Sequence, residues 1–299
     1  MSSVRWDVDG RDWPNREASR FVRAGLLDWH VQVAGPDRRD APVLLLIHGT
    51  GAATHSWRDV LPLLAQHYTV IAPDMPGHGF TRGRISGGLS LPGMAKALGE
   101  LLDKLGLGHP SVIVGHSAGA AIGIRLLLDR EMDARVIGLN PALLPFPGLA
   151  ARLFPAMARA LFVNPFTAMI FAQIASSEGE VARFLKKSTG SRIDERGVAL
   201  YHRLFRTSDH CAGAIGMMAN WDLESLAKAL PAVAARSLLV HGARDSAIPL
   251  DSIERAARLM PHATVQNLPD LGHLAHEEAP QAVSQIILDF AGQPAVVAA

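Results

Sequence analysis

The chain carries one cysteine, Cys211, so it can close no intramolecular disulfide and reads as a protein of a reducing compartment. A surplus of one charge is missing too. Twenty-nine Lys and Arg stand against 28 Asp and Glu, with no basic stripe interleaved with aromatics, so the electrostatic footprint of a nucleic-acid binder is absent. No uninterrupted apolar span of about 20 residues occurs, which argues against a membrane-crossing helix. The opening Met1-Ser2-Ser3-Val4-Arg5-Trp6-Asp7 mixes charges and lacks the apolar stretch of a secretory signal, so a cytoplasmic placement is expected. What remains is 299 residues, 48% of them hydrophobic: enough for one large α/β core with an insertion.

The most informative stretch is Gly115-His116-Ser117-Ala118-Gly119, directly after the apolar run 111–114. The pattern predicts a short buried strand, a tight turn and a helix over 120–129. A serine at the apex of such a turn presents its oxygen as a nucleophile, and the helix aims N–H groups and a positive dipole end at the same point. The plain alternative is that Ser117 merely caps the helix.

A serine hydroxyl needs a base, and the base needs an orienting acid. Asp245 follows the apolar strand Ser237–Gly242, at the strand end where ligands of an open α/β sheet converge, and is the expected acid. His273 follows the strand 264–268, with Gly272 bending the chain, and is the expected base. His276 competes with it; the two spell H-x-x-H, but no Cys lies near and the i+4 histidine of a helical zinc site is missing, so neither metal nor organic cofactor is expected. His276 and Glu277 are read as the start of a last helix reaching Phe290. At the other end of the sheet, Val43–Ile47 runs into His48-Gly49-Thr50-Gly51. The N–H groups of Thr50 and Ala118 are the expected oxyanion donors. Asp74-Met75-Pro76-Gly77-His78-Gly79, after the strand 69–72, reads as a rigid rim loop with a structural His78.

After the strand Arg135–Leu139 the βα rhythm stops until Ser237. The intervening 140–235 is rich in Ala, Leu, Phe and Met at helical spacing and reads as a helical cap. Its first half, with Leu153, Phe154, Met157, Leu161, Phe162, Phe166, Met169, Ile170 and Phe171, is strongly apolar. Over 140–230 ten Lys and Arg face seven Asp and Glu. A basic rim over an apolar floor suits an amphipathic acid such as a lipid or a tetrapyrrole propionate, although a solvated helix face has the same composition. The uncharged run 160–177 is also compatible with peripheral membrane contact. Met217, Met218 and Trp221 are the expected pocket lining, with Trp57 from the segment after the oxyanion glycines.

Taken together, the strand–HGTG, DxPGHG, GHSAG, GxxDxxxP and GH segments resemble the α/β-hydrolase superfamily over residues 20–291. The resemblance implies an eight-stranded, mostly parallel sheet flanked by helices, with a core of 20–139 and 236–291, a cap of 140–235, an N-terminal extension of 1–19 and a flexible tail of 292–299. Asp12-Trp13-Pro14-Asn15-Arg16, Trp29-His30-Val31-Gln32-Val33, His48 to Arg58 and Met217-Met218-Ala219-Asn220-Trp221-Asp222 resemble more narrowly the magnesium chelatase accessory proteins of bacteriochlorophyll biosynthesis. That likeness implies a role near magnesium insertion into a tetrapyrrole, with magnesium chelatase subunits as partners and a site on or near the photosynthetic membrane. Two functions follow. One is a serine hydrolase cleaving an ester-like bond in an apolar, tetrapyrrole-related substrate; the other is a non-catalytic tetrapyrrole-binding accessory protein on a hydrolase scaffold.

Overall fold

A computed structural model describes residues 2–36, 41–145, 175 and 177–292. After a short α1 (Trp6–Asp9), the core runs β1 (Ser19–Ala24), β2 (Leu27–Ala34), β3 (Val43–Ile47), α2 (Leu61–Leu64), β4 (Thr69–Pro73), β5 (Arg82–Gly83), α3 (Leu91–Leu105), β6 (Val112–His116), α4 (Ala118–Asp129) and β7 (Arg135–Leu139). An insertion supplies α5 (Glu178–Thr189), α6 (Glu195–Phe205), α7 (Ser208–Ala219) and α8 (Leu223–Ala229). The core resumes with β8 (Ser237–Gly242), α9 (Leu250–Leu259), β9 (Ala263–Leu268), α10 (Ala275–Glu278) and α11 (Pro280–Gly292).

Eight strands form the main sheet in the order β1-β2-β4-β3-β6-β7-β8-β9, and the two-residue β5 pairs with β2. Pairing is antiparallel at β1–β2 and β2–β4 and parallel from β4 onward. The central strands read as continuous apolar runs because both faces of the sheet are covered. Along β3, Val43, Leu45 and Ile47 enter the core layer beneath α3, α4 and α9, while Leu44 and Leu46 enter the layer beneath α2 and α11. From β3 the chain moves outward to β4 and returns on the other side to β6. This reversal is the topological switch point, and the carboxyl ends of β3 and β6 beside it are where α/β sheets bind ligands.

Two boundaries differ from expectation. The helix after Ser117 starts at Ala118, because Ala118 and Gly119 already belong to its first turn. The last helix is two pieces, α10 and α11: the chain leaves helical geometry at Ala279 (φ −139°, ψ 64°), because a following proline disfavours the helical conformation there, and Pro280 opens α11. Residues 153–171, the expected apolar half of the cap, and 293–299, most of the expected tail, lie outside the described residues. The N-terminal segment packs rather than trails. Trp13 Nε1 donates to Thr54 Oγ1 at 2.9 Å, Ser2 N donates to Ser208 Oγ at 2.8 Å, and Val4 and Trp13 share a cluster with Leu200 and Leu204 of α6.

Candidate active site

β6 ends at His116 and α4 begins at Ala118, so Ser117 alone makes the turn, at φ 51° and ψ −118°. An L-residue adopts that backbone only when its surroundings impose it. Here Ser117 N donates to Leu139 O at 2.9 Å, and Ser117 O accepts from Ala120 N and Ala142 N at 3.2 and 3.1 Å. A Cβ at Gly119 would stand 2.1 Å from Ile47 O, so only glycine lets α4 press onto β3. Ser117 makes no side-chain capping bond to α4, which removes the plain capping role. Ala118, as the first helical residue, carries an N–H without an intrahelical acceptor, at the positive end of the helix dipole.

β8 and β9 deliver the other two candidates. Asp245 Oδ2 accepts from His273 Nδ1 at 2.7 Å, with the Asp245 side chain wholly buried. Its other oxygen accepts from Ala247 N and Ile248 N at 2.7 and 3.0 Å, so the carboxylate cannot turn away. The expected Asp245–His273 pair is thus formed; a hydrogen bond from Ser117 Oγ to His273 is not formed in this structure. The two are joined through backbone instead. His116, beside Ser117, donates from Nε2 to His273 O at 3.0 Å, and its ring centroid lies 4.7 Å from that of His273. Asn140, at the end of β7, donates from Nδ2 to His273 O (2.8 Å) and Gly272 O (3.2 Å) and accepts at Oδ1 from Gly242 N (2.7 Å). One buried amide thereby ties the end of β8, which leads to Asp245, to the loop that carries His273.

The loop bearing Thr50 is held by two imidazoles. Met75 N donates to His48 Nε2 at 2.9 Å, which leaves Nδ1–H to donate to Gly49 O at 2.8 Å. Gly79 N donates to His210 Nδ1 at 3.1 Å, which leaves Nε2–H to donate to Gly51 O at 2.9 Å. The carbonyls on both sides of Thr50 are therefore pinned, one from the core and one from α7. Burial lowers the basicity of both rings, pushing His210 down to about 4, so each stays neutral and keeps the tautomer this bonding requires. Asp74 is the hub of the expected rim loop, accepting from Thr54 N, Phe80 N and His30 Nδ1 at 2.7, 2.8 and 2.8 Å. His78 packs edge-on to His48 and His210 at 5.3 Å, a structural placement.

His276, three residues beyond His273, is wholly buried. Its Nε2 shares a hydrogen bond with Ser56 Oγ at 2.7 Å, and burial, with Arg58 and His273 nearby, pushes it down to about 3. Next to it Glu277 accepts from Ser56, Tyr201 and Arg58 at 2.7, 2.7 and 2.6 Å. No group of three or more His, Cys, Asp or Glu placed to hold a metal occurs among the described residues. Of the expected pocket residues, Met217 reaches the loop, its sulfur accepting from Thr50 Oγ1 at 3.4 Å. Met218 and Trp221 are half-buried, Trp221 against the larger core cluster. Trp57 is not pocket lining. It has no exposure, packs with Leu44, Leu46 and Leu64 beneath the opposite sheet face, and its ring lies 4.6 Å from His276. The 3-10 turn Thr54–Trp57 carries its side chain back into the core. Phe205, which sequence reasoning missed, packs over the loop: a Cβ at Gly51 would lie 3.6 Å from its ring.

A serine in a strained strand-to-helix turn at the switch point of an open sheet, beside a paired Asp and His, defines a class, and the chain belongs to it: the alpha/beta hydrolase fold family, whose family model matches residues 42–280. Within that family the chain is 42% identical over 279 residues to the magnesium-chelatase 30 kDa subunit of Rhodobacter capsulatus, covering 93% of this chain and 96% of the relative. Solved structures share the fold. The carboxylesterase CesB of Bacillus subtilis matches at TM-score 0.70 and 19% identity, covering 97% of this chain and 96% of its own. The enol-lactonase of Burkholderia xenovorans LB400 matches at TM-score 0.74 and 18% identity, covering 92% and 100%. No helix among the described residues is long and apolar enough to cross a membrane.

Proposed function

We propose that the protein is a serine hydrolase acting on an ester-like bond of an apolar, tetrapyrrole-related substrate, in the setting of magnesium chelation. The observation that carries the chemistry is the 2.7 Å contact of His273 Nδ1 with the fully buried Asp245 side chain, on the same sheet edge as the strained Ser117. The context comes from the 42% identity to the magnesium-chelatase 30 kDa subunit.

In this mechanism Ser117 Oγ attacks the carbonyl carbon while His273 Nε2 takes its proton. Asp245 keeps the Nδ1–H tautomer and balances the imidazolium that forms. The N–H groups of Ala118 and Thr50 receive the developing oxyanion, the first from an uncapped helix start and the second from a loop pinned at both flanking carbonyls. His273 then protonates the leaving group, and water deprotonated by the same imidazole cleaves the acyl-enzyme. Hydrogen bonds of this kind are commonly long in unliganded sites and tighten as substrate enters, so the Ser117–His273 bond is expected to close on binding. Magnesium and the chelatase subunits would be cargo and neighbours, not groups resident in the site.

A fluorophosphonate probe tests the reading. Labelling is expected at Ser117, and magnesium protoporphyrin or its methyl ester is expected to slow it by occupying the pocket. Ser117→Ala is expected to abolish labelling and lower kcat by about 10⁴-fold or more. Ester turnover that persists in pure Ser117→Ala protein would refute the hydrolase reading. Magnesium protoporphyrin binding, read as quenching of tryptophan fluorescence, in protein that does not label would instead favour a tetrapyrrole-binding accessory protein on the same scaffold.

A further inference from the structure

We infer that the turn Thr189-Gly190-Ser191, where α5 of the insertion ends, is a positioning element of the Asp245–His273 pair and not part of a detachable lid. The inference rests on the serine-hydrolase reading above.

α5 stops at Gly190, whose left-handed backbone (φ 69°) lets its N–H close onto Lys186 O. The carbonyls and hydroxyls just before and after that stop do not face solvent. Thr189 O accepts from His273 N at 2.8 Å, and Ser191 Oγ accepts from Leu274 N at 2.8 Å. Two consecutive amides of the base loop therefore have their acceptors in the insertion. The same helix end reaches the acid loop: Ser246 Oγ donates to Lys187 O at 3.4 Å, and a Cβ at Gly190 would stand 1.9 Å from Arg244 O. Glu278 closes the junction, accepting from Gly272 N (2.7 Å), Arg192 N (3.1 Å) and Arg244 Nη2 (3.2 Å).

Residues 244–246 carry the acid and 272–274 carry the base, and the end of α5 is wedged between them. Ser191 is only 3% exposed, so water does not replace its oxygen when it is lost. Lifting α5 away would strip the acceptors from His273 N and Leu274 N and free the loop whose position sets the 2.7 Å contact with Asp245. This end of the insertion must therefore stay seated during turnover. A lid that opens by moving the whole insertion would dismantle the base.

Ser191→Ala in the full chain tests this, with Ser191→Thr as the conservative partner that keeps the hydroxyl. The readouts are turnover of a short-chain p-nitrophenyl ester, the pH dependence of fluorophosphonate labelling, melting temperature, and the downfield His273 Nδ1 proton resonance. Ser191→Ala is expected to lower kcat about tenfold with KM within about twofold, because a positional error at the base acts on the chemical step. The labelling profile is expected to shift, the Nδ1 resonance to move or broaden, and Ser191→Thr to recover most of the loss. An unchanged profile and resonance in Ser191→Ala would overturn the inference, as would a loss confined to KM or one equal in both variants. If the unsubstituted protein neither turns over ester nor labels, the hydrolase reading fails and this inference with it. If it labels and Ser191→Ala labels identically, only this inference fails.

Discussion

Replacing Asn140 by Ala is expected to destabilise the protein by about 4 kcal/mol and to slow the chemical step. Asn140 is wholly buried and makes three side-chain hydrogen bonds, to Gly242 N, Gly272 O and His273 O. Truncation leaves Gly242 N–H buried without an acceptor, which costs about 1–3 kcal/mol. Gly272 O loses the side-chain donor it has here, at about 1 kcal/mol, whereas His273 O keeps the His116 Nε2 donor. Asn140 also sits at φ 45°, a conformation that asparagine tolerates and alanine resists by roughly 1 kcal/mol. Urea titration followed by the intrinsic fluorescence of the five tryptophans measures the sum, provided the slope m is unchanged. Asn140→Gly separates the contributions, since it relieves the backbone cost and keeps the lost hydrogen bonds. Asn140→Asp keeps the acceptor for Gly242 N but sets a carboxylate against two carbonyls, so its kcat should fall furthest. A change below about 1 kcal/mol in Asn140→Ala, or kcat in all three variants equal to the parent, would refute the idea that this amide joins the acid and base loops.

Acid should weaken the fold well above the carboxylate range. His210 and His276 are held by burial at about 4 and about 3, and His48, His55, His78 and His116 are also pushed down by burial, whereas unfolded imidazoles titrate near 6.5. Below that value the unfolded chain binds more protons, so the stability these groups contribute is full above about pH 6.5 and falls as pH drops toward the folded values. Each strongly depressed ring should remove about 2 kcal/mol by pH 5. Urea midpoints that stay flat from pH 7 to pH 5 would contradict this, and His210→Gln should flatten the slope. Gly119→Ala places a methyl 2.1 Å from a β3 carbonyl and should cost more than about 3 kcal/mol, read as lost soluble yield; a well-folded variant would show that α4 and β3 can part there.

The central strands and three separated side chains were legible in sequence for a physical reason. Parallel strands covered on both faces must be continuous apolar runs, and the residues after such runs emerge at one sheet edge. Ser117, Asp245 and His273 all follow β6, β8 and β9 in that way. Asn140 follows β7 in the same way, and that shared position was the available signal for it. Ser191 and His210 carried no signal, because they act on backbone groups tens of residues away, and hydrogen bonds to carbonyls and amides leave no spacing pattern. Trp57 was misplaced because proximity in sequence to the oxyanion glycines says nothing about which way a 3-10 turn points its ring.

The sequence by itself determined the apolar runs of the central strands, the glycine-flanked serine between strand and helix, and the acid and histidine that follow later strands. These depend on local periodicity and on steric rules that operate within a few residues. Only the tertiary structure decided how His273 is held: by an amide that follows β7, an imidazole beside Ser117 and the end of an insertion helix. Those partners are 84 to 157 residues from His273 along the chain, and folding alone brings them within 3.0 Å of its backbone.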